Sequence, residues 1–231
     1  MKLLLTNLFL AITLSSTVFA DDFSDIAVAF NKGDYKTAMK LMKPLAEQGD
    51  AGAQYSLGLM YDEGRGVPKN NQQAVKWYRL AAEQGHASAQ SQLGLMYDEG
   101  YGVPENDQEA FRWYRLAARQ GEAEAQSSLG DMYANGYGVA KNNVLAYKWY
   151  RLAAEQGFFY AQSQLGLMYA LGRGVPENNV LAYMWWNLAS EYGEENALNY
   201  KGLAIKNMTS SQIEKAQELS RECLKKNYNN C

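Results

Sequence analysis

The sequence predicts an all-α fold, a solenoid of helix–turn–helix repeats, from three observations. Residues 51–194 are four consecutive repeats of 36 residues, beginning at Ala51, Ala87, Ala123 and Phe159. Each repeat carries apolar residues at helical spacing. Glycines recur where two such helices would end. A fixed period in this range is typical of solenoids, in which each repeat buries its apolar face against its neighbours.

The first twenty residues have the features of a secretory signal peptide. Lys2 gives a positive start, residues 3–14 are mostly apolar, and Val18-Phe19-Ala20 precedes two aspartates. The segment is too short and wrongly flanked for a membrane span, so we expect residues 1–20 to be cleaved after Ala20. The alternative is a buried N-terminal helix. The expectation is therefore a periplasmic or secreted protein, with no membrane span in the mature chain.

Composition narrows the class of partner. The chain has 231 residues, of which 47% are hydrophobic and 20% charged, as in folded soluble proteins. The formal net charge is −3, and no run of lysine and arginine is present to neutralise phosphates. We therefore expect no nucleic-acid partner.

Residues 21–50 predict a degenerate helix pair that caps the array. Its helices are expected over residues 23–31 and 35–48, with Leu41 in the frame position that tryptophan occupies in the repeats. Pro44 is expected to kink or restart the second of these helices.

The first helix of each repeat is illustrated by the first repeat. Ala53, Leu57, Met60 and Tyr61 fall at i, i+4, i+7 and i+8, on one helical face. Gly64 then lies where a helix ends in the left-handed conformation.

The second helix of the same repeat follows a short Gly-Val-Pro connection. Asn70 or Asn71 is placed to cap it, and Gly85 to end it. Its apolar face holds a tryptophan that recurs in register, and we expect this series to fill the core: Trp77, Trp113, Trp149 and Trp185.

A glycine in the middle of each first helix needs a reason, because it costs about 1 kcal/mol relative to alanine. We expect that a Cβ there would block the close approach of the neighbouring helix. The positions are Gly58, Gly94, Gly130 and Gly166.

The recurring motif LG.MY..G.GV..N...A..WY..AA.QG, seen first over residues 57–85, resembles the Sel-one-like repeat family, a relative of the tetratricopeptide repeat. The four copies in phase cover 144 of 231 residues. The resemblance implies a right-handed superhelix of antiparallel helix pairs that acts as a protein–protein interaction scaffold. Exported bacterial members resemble adaptors in envelope assembly, secretion or host contact.

Residues 195–231 are expected to form C-terminal capping helices. A short helix is predicted over residues 197–206, and Thr209 and Gln212 form a capping box before a second helix. Its inward face is expected to hold Ile213, Ala216, Leu219 and Cys223. The two cysteines of the chain, Cys223 and Cys231, are expected to pair in an exported protein. Two free thiols or an intermolecular bond are the alternatives.

No constellation in the sequence predicts catalysis, a cofactor or a metal. The single histidine, His86, lies between repeats without a second histidine, and is interpreted as a solvated turn residue. A cysteine-rich branch of the resembled family has been linked to beta-lactam binding or hydrolysis. This chain lacks the cysteine pairs of that branch and has no S-x-x-K or K-T-G element.

Acidic pairs occupy the last turn of the first helix in two repeats, where they oppose the helix dipole. They are Asp62-Glu63 and Asp98-Glu99. Ion pairs with nearby arginine or lysine, Arg65 among them, would offset them. The other interpretations are an acidic patch for a basic partner and a weak calcium site.

Positions that vary between repeats are free to be used by a partner, and those on the first helices form the candidate groove. They change from acidic in the first two repeats to apolar in the fourth. The largest departure is the run Phe158-Phe159-Tyr160, interpreted either as repacking against the C-terminal cap or as a hot spot or homodimer contact. The partner-binding candidates are Tyr55, Leu59, Asp62, Glu63, Leu95, Asp98, Glu99, Asp131, Phe158, Phe159, Tyr160, Leu167 and Leu171.

The predicted function is that of an exported, non-enzymatic scaffold that holds a protein or peptide of unidentified sequence in this groove. The alternative is a cell-envelope enzyme that acts on a beta-lactam or peptidoglycan-like substrate. A purely structural homo-oligomer is a third interpretation.

Overall fold

The computed structural model describes residues 20–191, 193, 195–228 and 231. The predicted signal peptide therefore lies outside the described residues, apart from Ala20. The chain divides into two compact units, Met1–Asn106 and Asp107–Cys231. Across the described residues there are twelve α-helices and no strand, which confirms the all-α fold of helix–turn–helix repeats.

In the N-terminal unit, each helix packs against the next along the chain. The two helices of the predicted cap precede the first repeat. The helices are α1 (Ala20–Asn31), α2 (Tyr35–Glu47), α3 (Ala51–Glu63), α4 (Asn71–Glu83) and α5 (Ala87–Asp98).

In the C-terminal unit, the same order of packing holds as far as the tenth helix. The last two helices then both pack against that tenth helix. The helices are α6 (Asp107–Arg119), α7 (Ala123–Asn135), α8 (Asn143–Ala154), α9 (Phe159–Leu171), α10 (Asn179–Ser190), α11 (Glu195–Ile205) and α12 (Ser210–Lys225).

The ends of the helices follow the predicted capping residues. Gly64 ends α3 in the left-handed conformation, with φ of 71°. The Asn70 side chain accepts a hydrogen bond at 3.0 Å from the backbone of Gln73 and so caps α4. Pro44 lies inside a single continuous α2, so the expectation that it restarts the helix is wrong. Near the C-terminal end of a helix, a missing proline N–H removes only one bond.

The mid-helix glycines are explained by an aromatic ring rather than by a neighbouring backbone. A Cβ on Gly58 would clash with the ring of Tyr78, which belongs to the second helix of the same repeat. Tyr150 covers Gly130 in the same way, and each tyrosine directly follows a tryptophan of the recurring series. Glycine is thus required because the ring of a buried aromatic residue lies flat against the helix.

The tryptophan series lies in the core only in part. Trp113 and Trp185 are buried, whereas Trp77 and Trp149 are half-buried. The following aromatic residue is buried in every repeat, as Tyr78, Tyr114, Tyr150 and Trp186. The expectation that the tryptophan series fills the core is therefore confirmed for Trp113 and Trp185 and wrong for Trp77 and Trp149.

A buried glutamine joins successive helix pairs, in a role that was not predicted from the sequence. The side chain of Gln54 donates to the carbonyl of Ala46 at 3.0 Å and accepts from Gln84 at 2.7 Å. Gln126 makes the equivalent bonds to Ala118, at 3.2 Å, and from Gln156, at 2.8 Å. The recurring Ala-Gln pair in the sequence was the signal for this network, because a buried amide must be hydrogen-bonded.

Helix α12 begins at the predicted capping residues. The backbone N–H of Gln212 donates to Thr209 at 3.3 Å and the Gln212 side chain accepts from Thr209 at 2.9 Å, which confirms the capping box. Ala216 and Cys223 are buried on the face toward α10. Ser220 is buried with them and donates to the Ala216 carbonyl at 2.9 Å.

Candidate functional site

The partner-binding candidates of the N-terminal unit lie on α3 and α5, and we call them together the acidic surface. Asp62 and Glu63 fall three and four residues after Leu59 on α3, and Asp98 and Glu99 fall three and four residues after Leu95 on α5, so those of each helix share one face. All are half-buried except Glu63 and Glu99, which are exposed. The acidic surface consists of Tyr55, Leu59, Asp62, Glu63, Leu95, Asp98 and Glu99.

Basic residues offset part of the charge at the end of α3. Arg65 pairs with Glu63 at 2.5 Å, as anticipated, and Lys69 lies 3.7 Å from Asp62. The Tyr78 hydroxyl donates to Asp62 at 3.5 Å. Burial, reinforced by the Asp62 charge, raises the pKa of Tyr78 well above its usual value, so this hydroxyl remains a donor. Exposed ion pairs of this kind contribute little stability.

His86 is a helix cap rather than a solvated turn residue. Its Nδ1 accepts a hydrogen bond at 3.2 Å from the backbone of Ala89 and so caps α5. Its ring stacks on Tyr55, with centroids 4.7 Å apart. Tyr55 therefore links the first helices of two successive repeats, and its ring packs on both His86 and, at 5.9 Å, Tyr78.

The candidates of the C-terminal unit form a second surface, which we call the aromatic surface. It lies on α7 and α9, which contact each other, and on the turn before α9. It consists of Asp131, Phe158, Phe159, Tyr160, Leu167 and Leu171.

Asp131 is the polar centre of the aromatic surface. Its carboxylate accepts hydrogen bonds from the hydroxyls of Tyr150, at 2.7 Å, and Tyr160, at 3.0 Å. Burial raises the pKa of Asp131 above its usual value, although both hydrogen bonds act in the opposite direction. The bond from Tyr160 in α9 to Asp131 in α7 joins the first helices of two repeats.

The three consecutive aromatic residues of this surface lie in different environments. Phe158 is half-buried and packs against the core that includes Cys223 and Tyr228 of the C-terminal cap. Phe159 is 43% exposed, with its ring 5.9 Å from that of Phe158. Tyr160 is half-buried and hydrogen-bonded. Repacking against the cap thus accounts for Phe158, whereas Phe159 remains on the surface.

The two leucines of the aromatic surface, both on α9, differ in exposure. Leu171 is 50% exposed. Leu167 is half-buried and packs against the buried cluster that includes Trp186 and Ala197. Leu167 and Leu171 are four residues apart and so are neighbours on one side of the helix.

The two cysteines are placed to form a disulfide. Cys223 and Cys231 are bonded in the structure, with their Cα atoms 5.3 Å apart. Asn227 and Tyr228 have φ of 50° and 64°, which turns the chain back toward α12. Tyr228 is 8% exposed and packs in the core of the C-terminal unit.

Neither a metal centre nor a membrane span is found in the part of the chain that the structure describes. Those residues contain no group of three or more His, Cys, Asp and Glu side chains arranged to hold a metal ion. None of the described helices combines the length and the apolar character needed to cross a membrane.

Comparison with known proteins identifies the repeats. The Sel1 repeat family model matches five segments, namely residues 31–50, 51–86, 87–122, 123–158 and 159–193. The first segment lies in the degenerate helix pair. No curated protein matches the chain.

Several solved structures are similar to this chain. A protective antigen of uropathogenic Escherichia coli strains, which displays this repeat fold, is 37% identical over 83% of this chain, with a TM-score of 0.78. This chain spans only 42% of that antigen's length. A Sel1 repeat protein from Oxalobacter formigenes is 32% identical and 84% of each chain is covered, with a TM-score of 0.70. A Sel1 repeat protein from Klebsiella pneumoniae is 22% identical over 79% of this chain and 91% of its own, with a TM-score of 0.50, and supports the fold alone.

Proposed function

Because the chain belongs to the Sel1 repeat family, we propose that it is an exported, non-enzymatic scaffold that binds a protein or peptide through the first helices of its repeats. Sel1 repeats generally mediate protein–protein interaction. Solenoids present extended surfaces to their partners rather than one enclosed pocket.

The observation that carries this proposal is the placement of the variable residues. Positions shared by all repeats, such as Leu57 and Gly58, are buried between helices, whereas most variable positions on the first helices are half-buried. Half-buried side chains on a rigid helical framework can contact a partner without loss of the core. Phe159 and Leu171 supply exposed apolar area on the aromatic surface, of the kind that anchors interfaces.

Export and a role in the envelope or in host contact are part of the proposal. The paired cysteines are compatible with an oxidising compartment. The similar Escherichia coli protein is a protective antigen, which supports exposure to a host. Residues 1–20, which have the features of a signal peptide, also support export.

The test compares matched baits in crosslinked affinity capture with the mature chain. One bait carries Phe159→Ser with Leu171→Ser, and the control carries Leu152→Ser, a similarly exposed leucine on the second helix α8. We expect a partner that the wild-type and control baits retain and the double variant loses. Equal capture by all three baits would reject the aromatic surface as the binding site.

A separate assay addresses the enzymatic alternative. Purified protein is incubated with the chromogenic beta-lactam nitrocefin, and we expect no turnover above buffer. Turnover that a single substitution abolishes would replace the scaffold proposal with an enzymatic one.

A further inference from the structure

Helix α11 repeats the pattern of α9. Ala197, Gly202 and Leu203 stand 36 residues after Ala161, Gly166 and Leu167. Ala161 and Ala197 are both fully buried. Helix α11 is therefore the first helix of an incomplete repeat, the fifth in the 36-residue series that begins at Ala51, and it packs against α10 as a first helix should.

In the fourth repeat, the second helix α10 covers the side of α9 on which Gly166 lies. Gln162, Ser163 and Gly166 of α9 are buried. The indole of Trp186 from α10 lies against this side: a Cβ on Gly166 would stand 2.5 Å from its Nε1. That Nε1 donates a hydrogen bond to the Ser163 carbonyl at 3.1 Å.

The corresponding side of α11, on which Gly202 lies, is exposed. The equivalent residues are Leu198, Asn199 and Gly202, and all three are exposed. Leu198 is 52% exposed, and no described atom lies within 4 Å of the position that a Cβ on Gly202 would take. Since α12 packs against α10, it does not take the place that a second helix would occupy beside α11. We call this exposed side the open seat.

The rest of the chain indicates what the open seat would accept. In the first, third and fourth repeats the equivalent glycine is covered by an aromatic ring, from Tyr78, Tyr150 or Trp186. Each ring belongs to an amphipathic second helix with an apolar face. Helix α12 has no aromatic residue and so cannot supply the ring.

We propose that the open seat binds an amphipathic α-helix of a partner protein, with a tyrosine or tryptophan ring over Gly202 and an apolar side chain against Leu198. The partner helix completes the fifth repeat, in the manner of a helix that lays its apolar face into a groove. This site is distinct from the acidic and aromatic surfaces and does not depend on them.

The probe is a synthetic peptide of residues 70–84 of this chain, the second helix of the first repeat. In this peptide Gln72→Glu supplies a carboxyl group that forms a lactam staple with the Lys76 amine; both positions are exposed in α4, and the staple makes the peptide helical before binding. Binding of the labelled peptide to the full chain is followed by fluorescence anisotropy. We expect saturable binding, which the Tyr78→Ala peptide loses by at least about tenfold, because aromatic anchors dominate such interfaces.

Variants of the protein locate the site. Gly202→Ala is expected to weaken peptide binding by at least about tenfold, since its methyl group would stand where the ring approaches. Its free energy of unfolding should stay the same or rise, because alanine is the better helix former and displaces no described atom. Gly166→Ala is the contrasting variant: its methyl group would meet Trp186, so it should unfold more readily.

Leu198→Glu provides a second test, with Leu152→Glu as its matched control at similar exposure. Only the former should weaken peptide binding. Equal binding to wild-type protein, Gly202→Ala and Leu198→Glu would overturn the proposal, as would absent binding or equal binding of the Tyr78→Ala peptide. A dimer in light scattering that Gly202→Ala dissociates would also overturn it, by assigning the seat to a second copy. None of these outcomes bears on Phe159 or Leu171, so the proposed function is tested separately.

Discussion

The aromatic residues of the repeats show why one position along a helix decides what a side chain contributes. Trp185 is 2% exposed and lies in the core of the C-terminal unit, whereas Trp149 at the same frame position is half-buried. We expect Trp185→Ala to lower the free energy of unfolding by about 3–5 kcal/mol. Trp149→Ala should cost clearly less, because part of its ring is already in water.

Denaturant unfolding of the two variants beside the wild type measures this difference. Each tryptophan is replaced in an otherwise identical chain, so each variant serves as the control for the other. A loss for Trp149→Ala equal to that for Trp185→Ala would contradict the burial that separates them.

Asp131 gives stability a pH dependence of predictable sign. Burial raises the pKa of Asp131 in the folded state. The contribution of Asp131 to stability is therefore fully present below its pKa in the unfolded chain, and it is lost as pH rises through its pKa in the folded protein. Asp131→Asn keeps an oxygen acceptor for Tyr150 and Tyr160 without the charge. We expect the variant to be more stable than the wild type near neutral pH, with a difference that shrinks on acidification.

Midpoints of urea unfolding between about pH 3.5 and pH 7 test this expectation. Asp34 is the control of opposite sign, because hydrogen bonds from Thr37 lower its pKa. The stabilising contribution of Asp34 is present above its usual pKa and is lost as pH falls. Asp34→Asn should therefore be less stable than the wild type at neutral pH. A difference between Asp131→Asn and wild type that grows on acidification would refute the expected direction.

The residue types of these sites could be predicted from the sequence, but their partners could not. The departure of Asp131 from the leucine of the other repeats is visible in the sequence alone. The two tyrosine hydroxyls that meet it come from α8 and α9. Only the packing of three helices brings those groups together.

At the scale of the element, the stability of helix α12 depends on the disulfide that joins it to the last residue of the sequence. The bond between Cys223 and Cys231 closes a loop with a sequence separation of 8 residues. Removing the constraint on the unfolded chain by Cys231→Ser should cost about 2–3 kcal/mol. Cys231 rather than Cys223 is replaced because Cys223 is fully buried and a serine there would bury a hydroxyl.

Chemical denaturation of the exported protein with and without dithiothreitol measures this contribution. Reduced wild type should match Cys231→Ser, and dithiothreitol should leave the variant unchanged. Two free thiols in the oxidised, exported chain, or a disulfide-linked dimer, would show that the cysteines do not pair within one chain.

The helices themselves were largely predictable, because their signals are local. Capping asparagines, left-handed glycines and helical apolar spacing lie within a few residues of the ends that they set. The open side of α11 was not predictable in this way. Its exposure follows from the packing of α12 on α10, a choice that no local pattern in residues 195–231 encodes.

At the scale of the whole molecule, export is the prediction that the N-terminal residues carry. When the full chain is produced in a Gram-negative bacterium, we expect the mature protein to begin at Asp21, because Val18 and Ala20 are the small residues that signal peptidase requires. Intact mass and N-terminal sequencing of the periplasmic and medium fractions measure the cut.

A variant with Ala20→Arg is the control, since the large charged residue should block cleavage while leaving residues 21–231 unchanged. Recovery of the uncut chain in the cytoplasm for both proteins would contradict export.

The sequence by itself determined the repeat family, the helix pairs and most of the caps, because a 36-residue period repeats the same local signals four times. The tertiary structure alone decided which aromatic ring covers each glycine, which candidate residues remain exposed and which side of α11 stays open. These features depend on contacts between helices that are distant along the chain. The position of a residue within the 36-residue repeat predicts its type, whereas its burial depends on which neighbouring helix packs against it.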